Sequence, residues 1–476
     1  MYRPRDFGMG DFWFLEGPDV LHLYYLELEQ PPHDERAEVG IGHATSTDGV
    51  HWSERGRVIG RGEPGAFDDA AILAGSAVTV GGRYYMLYTG LSRADSVQRT
   101  GVLTSGDMVH WERFAEVPVL EPDERWYETA PDVGPDEWVS WRDPCLWWCE
   151  EEGAWYAFIT ATERGDGPRN ERGCVGLARS EDMMQWEALP PVAAPGLCRA
   201  HEAPQVVRIG ARWYLLYSTH LWAYSDEARA RKPLRWQRSG THYLVSDDPL
   251  GEWRVPQVDV VAGAMADSHH GAKAQRVGGD LLLYSWGPTR RELAVPMRLD
   301  AAPDGSLCAL YWEGLEAWRG RSLCGEQPRE LQGGWQSARG VMIADAGGGP
   351  SVAGCQDEAM DLCVAAPVVP DVAARAAVGV SDAAGTLAAI ADVPGQEAAI
   401  VRLPSGETLA SVPWEVTPVR PAHLRLVADG EVLSLYVDDE FALSAFVEGR
   451  GEGAVRLVAL DGSAEFRDME GFTLKL

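Results

Sequence analysis

Three acidic residues recur at one place in a repeating pattern. Asp11 precedes Tyr24 by 13 residues, Asp143 precedes Tyr156 by the same 13, and Glu202 precedes Tyr214 by 12. Each acid has apolar or aromatic neighbours, as in Gly10-Asp11-Phe12-Trp13, Trp141-Arg142-Asp143-Pro144 and His201-Glu202-Ala203-Pro204. A single Asp or Glu is usually a solvated surface group. Three at matching positions point instead to a shared site. Convergent carboxylates suit glycoside cleavage: one attacks the sugar or activates water, one protonates the leaving oxygen, and a third holds sugar hydroxyls.

The elements that would position these acids also repeat. An aromatic strand recurs five times, at His22–Leu26, Tyr84–Gly90, Trp155–Ile159, Trp213–Ser218 and Leu281–Trp286, each after a glycine-bearing turn. The copies lie roughly 60 to 70 residues apart, a period suited to a propeller blade. A second element follows the first four copies: Ser46-Thr-Asp48 to Trp52, Ser105-Gly-Asp107 to Trp111, Ser180-Glu-Asp182 to Trp186, and Ser246-Asp-Asp248 to Trp253. In each, a Ser or Asp side chain starts a turn by bonding nearby backbone, and the tryptophan opens the next strand. Repeated four-stranded sheets bury their faces when arranged radially. The expected fold is all-β: a five-bladed β-propeller over 1–317, a polar linker over 318–340, and a C-terminal β-sandwich over 341–476. A two-sheet sandwich of the first 300 or so residues leaves the long period unexplained. In a propeller the first strand of each blade lines the central channel, so Asp11, Asp143 and Glu202 are expected to meet there.

Composition narrows the partners. The 476 residues carry 42 basic and 72 acidic side chains, a net charge of −30, which repels nucleic-acid phosphates and anionic lipid. No apolar run approaches the eighteen or so residues of a membrane span, and the N-terminus shows no secretory signal pattern. The eight cysteines lack metal spacing and read as reduced thiols of a cytoplasmic protein. The expected partner is a small-molecule oligosaccharide, with no cofactor, nucleic acid or membrane. The 19 tryptophans and 15 tyrosines suit sugar stacking, although several belong to the strand repeats.

With those residues identified, the chain resembles glycoside hydrolase family 32, the invertase, levanase and inulinase family. Trp141-Arg-Asp-Pro144 resembles its Arg-Asp-Pro motif, and Gly75-Ser-Ala-Val78 its second-blade Gly-Ser-Ala signature. Glu202-Ala-Pro204 matches its Glu-Cys-Pro motif except in the middle, and Asp11 sits where Asn-Asp-Pro-Asn-Gly carries the nucleophile. The resemblance implies a propeller followed by a sandwich and a retaining cleavage of terminal β-fructofuranosyl linkages, as in sucrose and short fructans. Asp11 would then be the nucleophile, Glu202 the general acid and later base, and Asp143 the transition-state stabiliser. Glu202 would need a raised pKa, which burial could supply. Arg142, Ser76, Asp69, Trp13 and Trp141 would contact substrate. Gly10 replaces the motif's first asparagine, Phe12-Trp13 its Pro-Asn, and Leu73-Ala74 stands where the family favours an aromatic. An inverting propeller glycosidase on arabinofuranosides or xylosides would use the same three acids, and a sugar-binding propeller would keep the fold without the chemistry.

Two weaker signals remain. Asp68-Asp69 would hold a sugar hydroxyl or cap a turn. In Asp267-Ser-His-His270, strand alternation sends the adjacent histidines to opposite faces, so no metal site is expected there.

Overall fold

A computed structural model describes residues 2–29, 38–130, 138–232, 237–264, 269–287, 292–324, 328–338, 341–346, 350–418 and 420–475. They divide into two compact units, Tyr2–Pro296 with Ala301–Leu307, and Met297–Asp300 with Cys308–Leu476. Strands dominate both, and Asp226–Arg231 is the one α-helix among the described residues.

The first unit contains four antiparallel sheets of four strands each. They are β1 to β4 (Gly8–Glu16, Leu21–Leu28, Glu38–Ser46, Ser53–Gly60) and β5 to β8 (Ala71–Val80, Arg83–Leu91, Gln98–Ser105, Trp111–Arg113). Then come β9 to β12 (Trp141–Cys149, Ala154–Thr162, Gly173–Ser180, Glu187–Ala193) and β13 to β16 (Glu202–Ile209, Arg212–Thr219, Ser239–Ser246, Val260–Ala264). A hairpin follows, β17 (Lys273–Val277) and β18 (Asp280–Tyr284). The first strands touch in sequence, β1 to β5, β5 to β9, β9 to β13, β13 to β17 and β17 back to β1, which closes a propeller-like ring. Five separate blades were expected, and four self-contained sheets are present among the described residues. The fifth aromatic strand lies in the β17–β18 hairpin. The next two strands, β19 (Met297–Ala301) and β20 (Leu307–Leu310), fall mostly in the second unit, where Leu310 pairs with Glu440.

The Ser-Asp turns fold as their residue types dictate. Ser46 Oγ accepts from the Gly49 N–H at 2.8 Å, and Asp48 Oδ1 accepts from those of Val50 and His51, both at 2.8 Å. Ser105 with Asp107 and Ser180 with Asp182 repeat the pattern. The residue after each Asp is left-handed, with φ of 77° at Gly49, 64° at Met108 and 69° at Met183. The carbonyls so exposed latch the sheets together. Tyr24 Oη donates to Met108 O at 2.6 Å, and Tyr284 Oη donates to Gly49 O at 3.1 Å. Buried aromatic and aliphatic clusters fill the spaces between sheets, one drawing on β1, β2, β5 and β6 and another on β9, β10, β13 and β14.

The second unit has two antiparallel groups of strands that share one apolar cluster. Alternate residues of Leu362–Pro370 and Ala422–Asp429 meet alternate residues of Arg375–Asp382 and Gly385–Asp392 in it. The polar stretch read as a linker over 318–340 carries short strands at Arg319–Ser322, Arg329–Gln332 and Gly334–Ala338. Their backbone pairs with neighbouring strands although their side chains are largely exposed, and this explains why hydropathy did not reveal them.

Candidate active site

Each of the three expected acids sits at a β-bulge on the first strand of its sheet. Pairing of β1 with β2 passes from Met9↔Glu27 to Phe12↔Tyr25, so Gly10 and Asp11 together face one partner residue. On β9 the step from Arg142↔Thr160 to Cys145↔Phe158 leaves Asp143 and Pro144 opposite one residue. On β13 the step from Glu202↔Ser218 to Gln205↔Leu216 does the same for Ala203 and Pro204. A bulge bends the strand and re-aims a side chain that strict alternation would place elsewhere. Asp143 (φ 58°) and Ala203 (φ 50°) adopt the left-handed backbone that such a kink requires. β5 has a comparable bulge between Leu73 and Gly75 without an acid.

Arg142 joins two of these carboxylates. Its Nη2 donates to Glu202 Oε1 at 2.5 Å and its Nε lies 3.4 Å from Asp143 Oδ2. Asp143 is buried, and its Oδ2 also accepts from Thr160 Oγ1 at 2.9 Å and from the Ala203 N–H at 3.0 Å. The acid of the third sheet therefore grips the backbone directly after the acid of the fourth. Glu202 Oε2 meets His270 Nε2 at 2.7 Å and lies 3.8 Å from His220 Nε2. Asp11 Oδ1 is buried and has no hydrogen-bond partner among the described residues. Glu202 opens on a pocket walled by Trp138, Arg169, Arg199, His220 and Trp222.

These surroundings reverse the expected proton distribution. Burial, together with the charges of Asp143 and Glu202, pushes the Asp11 carboxyl up to about 7. Burial also works to raise Glu202, but Arg142 and His270 outweigh it and hold that carboxyl below the ordinary carboxylate range. The expectation of a raised Glu202 fails because it considered burial without the cations beside it. Of the two carboxyls, Asp11 is the one whose surroundings favour the proton.

The other expected contacts sort differently. Trp13 and Trp141 are 2% and 0% exposed, so the structure corrects their reading as sugar platforms. Trp13 stacks on Tyr24 with ring centroids 6.3 Å apart, and Trp141 packs against Tyr127 at 4.7 Å. Both fill space between strands, which an alternating pattern cannot distinguish from a channel face. Ser76 Oγ is engaged with Pro144 O at 2.7 Å and the Leu146 N–H at 2.9 Å, bridging the second and third sheets. Asp69 accepts from the N–H groups of Gly65 and Arg93 and acts as a turn cap. Asp68 is buried in an ion pair with Arg113 and accepts from Tyr88 Oη. Asp267 and Ser268 lie outside the described residues. His269 and His270 do not sit on a strand, so alternation does not govern them; His269 (φ 52°) bonds Ser285 Oγ while His270 reaches Glu202.

Four residues have places at the site that the sequence reading did not give them. His220 arrives beside Glu202 because β13 and β14 are antiparallel and Glu202 pairs with Ser218. His270 was noted but not linked to an acid. Lys273 Nζ donates to Ala203 O at 2.8 Å, and its charge partly offsets the rise at Asp11. Gly271 walls the first acid, since a Cβ there would lie 2.4 Å from Asp11 Oδ1 and its φ is 62°. Gly271→Ala is therefore expected to destabilise by about 1–2 kcal/mol through backbone strain. It should also displace Asp11 enough to lower any turnover about a hundredfold. Denaturant melts and initial rates check both, and an alanine variant with unchanged rate would mean Asp11 does not depend on that wall.

Residues 14–246 match the glycosyl hydrolases family 32 N-terminal domain, a stretch that includes Asp143 and Glu202 and begins three residues after Asp11. The chain is similar to the β-fructofuranosidase insoluble isoenzyme CWINV6 of Arabidopsis thaliana, 30% identical over 175 residues, or 36% of this chain and 29% of that protein. It is also similar to a sucrose-6-phosphate hydrolase of Escherichia coli, 25% identical over 218 residues, or 44% of this chain and 40% of that one. These alignments thus span less than half the length of either relative. In fold it is similar to the exo-inulinase of Aspergillus awamori, with a TM-score of 0.71, 14% identity, and 99% and 97% of the two chains covered. A family 32 β-fructofuranosidase of Bombyx mori gives a TM-score of 0.69 at 16% identity, covering 98% and 93%. The domain match thus carries the Arg-Asp-Pro and Glu-Ala-Pro acids on the bulged strands described above, and residues 14–246 are similar to the N-terminal domain of glycosyl hydrolases family 32.

Proposed function

We propose that this chain is a retaining glycoside hydrolase that removes terminal β-fructofuranosyl groups from sucrose or short fructans. The observation that carries the reading is the set of three carboxylates on bulged first strands, close enough that Asp143 and Glu202 raise the Asp11 carboxyl. The names of the relatives, a β-fructofuranosidase and a sucrose-6-phosphate hydrolase, support the substrate class.

In this reading Asp11 attacks the anomeric carbon and forms a fructosyl ester, and Glu202 protonates the departing oxygen and later activates water. Asp143, fixed by Thr160 and the Ala203 N–H, accepts hydrogen bonds from ring hydroxyls that strengthen as positive charge develops. Turnover requires the proton held at Asp11 to move to Glu202 when substrate enters. A sugar oxygen or hydroxyl inserted between Glu202 and Arg142 would favour that transfer by weakening the pair that keeps Glu202 ionised. The two sheets of the second unit are read as a β-sandwich to which no reacting group is assigned.

Incubation with sucrose and 1-kestose is expected to release fructose. Glu202→Ala should lower that rate about 10²–10⁴-fold. With azide added to an activated fructoside, Asp11→Ala should yield the α-fructosyl azide and Glu202→Ala the β-anomer. No fructose release from any sucrose or fructan substrate would overturn the reading, and β-azide from the Asp11 variant would exchange the two roles.

A further inference from the structure

Two cysteines that are far apart in sequence meet in the second unit. Cys324 follows the strand Arg319–Ser322, which pairs with Glu470–Leu474 in one group of strands. Cys355 lies on Ser351–Ala359, which pairs with Gly453–Asp461 in the other group. Arg321 already crosses between the groups here. Its Nη1 donates to Asp357 Oδ2 at 2.6 Å and its Nη2 to Glu358 O at 2.7 Å. The two segments run in opposite directions, so three residues forward from Arg321 and three back from Glu358 bring Cys324 to Cys355. Pairing of Ser351–Ala359 with Gly453–Asp461 passes from Gly354↔Arg456 to Glu358↔Ala454, a bulge that sets Cys355, Gln356 and Asp357 against Val455. Val455 and Cys324 in turn share the space over Gly471: a Cβ there would lie 2.7 Å from Cys324 Sγ and 3.2 Å from the Val455 methyls. The absent side chain is what admits the sulfur. The two thiols are hydrogen-bonded to each other.

We infer that Cys324 and Cys355 are a redox pair that closes to a disulfide on meeting a small-molecule disulfide such as oxidised glutathione. Cys355 attacks first. The Cys324 thiol donates to its sulfur and the Arg456 guanidinium lies beside it, with Nη1 on the Cys355 carbonyl at 2.7 Å, so the Cys355 thiol is held below its ordinary value. Cys324, the donor in that contact, is raised by it, and burial pushes Cys198 and Cys363 up to about 12 and about 11. The thiolate is the attacking species, which selects Cys355. Its sulfur displaces one thiolate from the small disulfide and leaves a mixed disulfide. Cys324 then gives up its proton, attacks the Cys355 sulfur and expels the second thiolate. The protein loses two electrons and two protons; the small disulfide gains both and leaves as two thiols. The new bond ties the two groups of strands together and closes a loop of roughly 30 residues. None of the three acids of the first unit takes part, so the pair is independent of the glycosidase reading.

The test uses the whole protein, reduced, freed of reductant and incubated with oxidised glutathione. Remaining thiols are then alkylated and the chain is digested without reduction. A peptide linking Cys324 to Cys355 is expected, with an intact mass lower by two hydrogen atoms that dithiothreitol restores. The closed form should melt roughly 5 °C or more above the reduced one, because the link removes freedom from the unfolded chain. Cys324→Ser should stop at one glutathione adduct on Cys355. Cys355→Ser should acquire an adduct on Cys324 at least about tenfold more slowly near pH 7, since that thiol is the poorer source of thiolate. Both cysteines alkylated after oxidation, a lasting glutathione adduct in the parent, or a link from either cysteine to a third would each overturn the assignment. Equal adduct rates in the two serine variants would overturn the order of attack. The peptide map of the parent decides the pairing even if a serine variant does not fold.

Discussion

Asp11→Asn is expected to abolish fructose release, by about 10⁴-fold or more, while making the protein more stable at neutral and alkaline pH. The two effects have one origin. The Asp11 carboxyl sits at about 7 in the folded chain, against an ordinary value of 3.8, because it is buried beside Asp143 and Glu202. Between those values the folded state keeps a proton that the unfolded chain has lost. Stability from this group is therefore complete below about pH 4 and declines as the pH rises toward 7, by on the order of a few kcal/mol. Asparagine has the shape of the protonated acid and cannot ionise, so the variant avoids the decline. Thermal melts of both proteins at about pH 5 and pH 8 give the measurement. A stability advantage that does not grow between those pH values would show that Asp11 is not held protonated.

Arg142→Met should be the most damaging single change to the fold of the site, costing about 3–5 kcal/mol. Arg142 is 12% exposed and pairs with Glu202 and Asp143 at once. Removing it leaves two poorly solvated carboxylates facing each other and facing Asp11. Arg142→Lys keeps the charge but not the fork that reaches Glu202 through Nη2 and Asp143 through Nε, so it should recover only part of the loss. Urea unfolding compares the three proteins. A methionine variant within about 0.5 kcal/mol of the parent would mean the pairs contribute no net stability, as many exposed pairs do not.

The acids were legible in the sequence because a bulge is a local device: the extra residue, the kink and the acid travel together, and the aromatic strand that follows supplies the spacing. Asp11, Asp143 and Glu202 therefore stood out at matching offsets. His220 and Gly271 did not, because they reach the site from a partner strand and a loop, at positions that only pairing register determines. The proton distribution was equally hidden, since the sign at Glu202 depends on Arg142 and His270, which are 60 and 68 residues away in sequence. Trp13 and Trp141 misled for a different reason. A tryptophan beside a catalytic-type acid can face the channel or the seam between sheets, and residue type does not choose between them. The last hairpin read as a blade because its aromatic strand matches the others, whereas the strands that follow it fall mostly in the second unit, a division that residue type does not announce.

The latch from Tyr284 to Gly49 joins residues 235 apart within the first unit. A contact of that span forms late, because the loop it closes must lose its freedom before the bond repays it. On a ribosome, β1 emerges early and waits with an unpartnered face until β17 and β18 follow. Asp11 meets its glycine wall at residue 271 only at that stage. A chain released before then has a carboxylate in water with an ordinary affinity for protons.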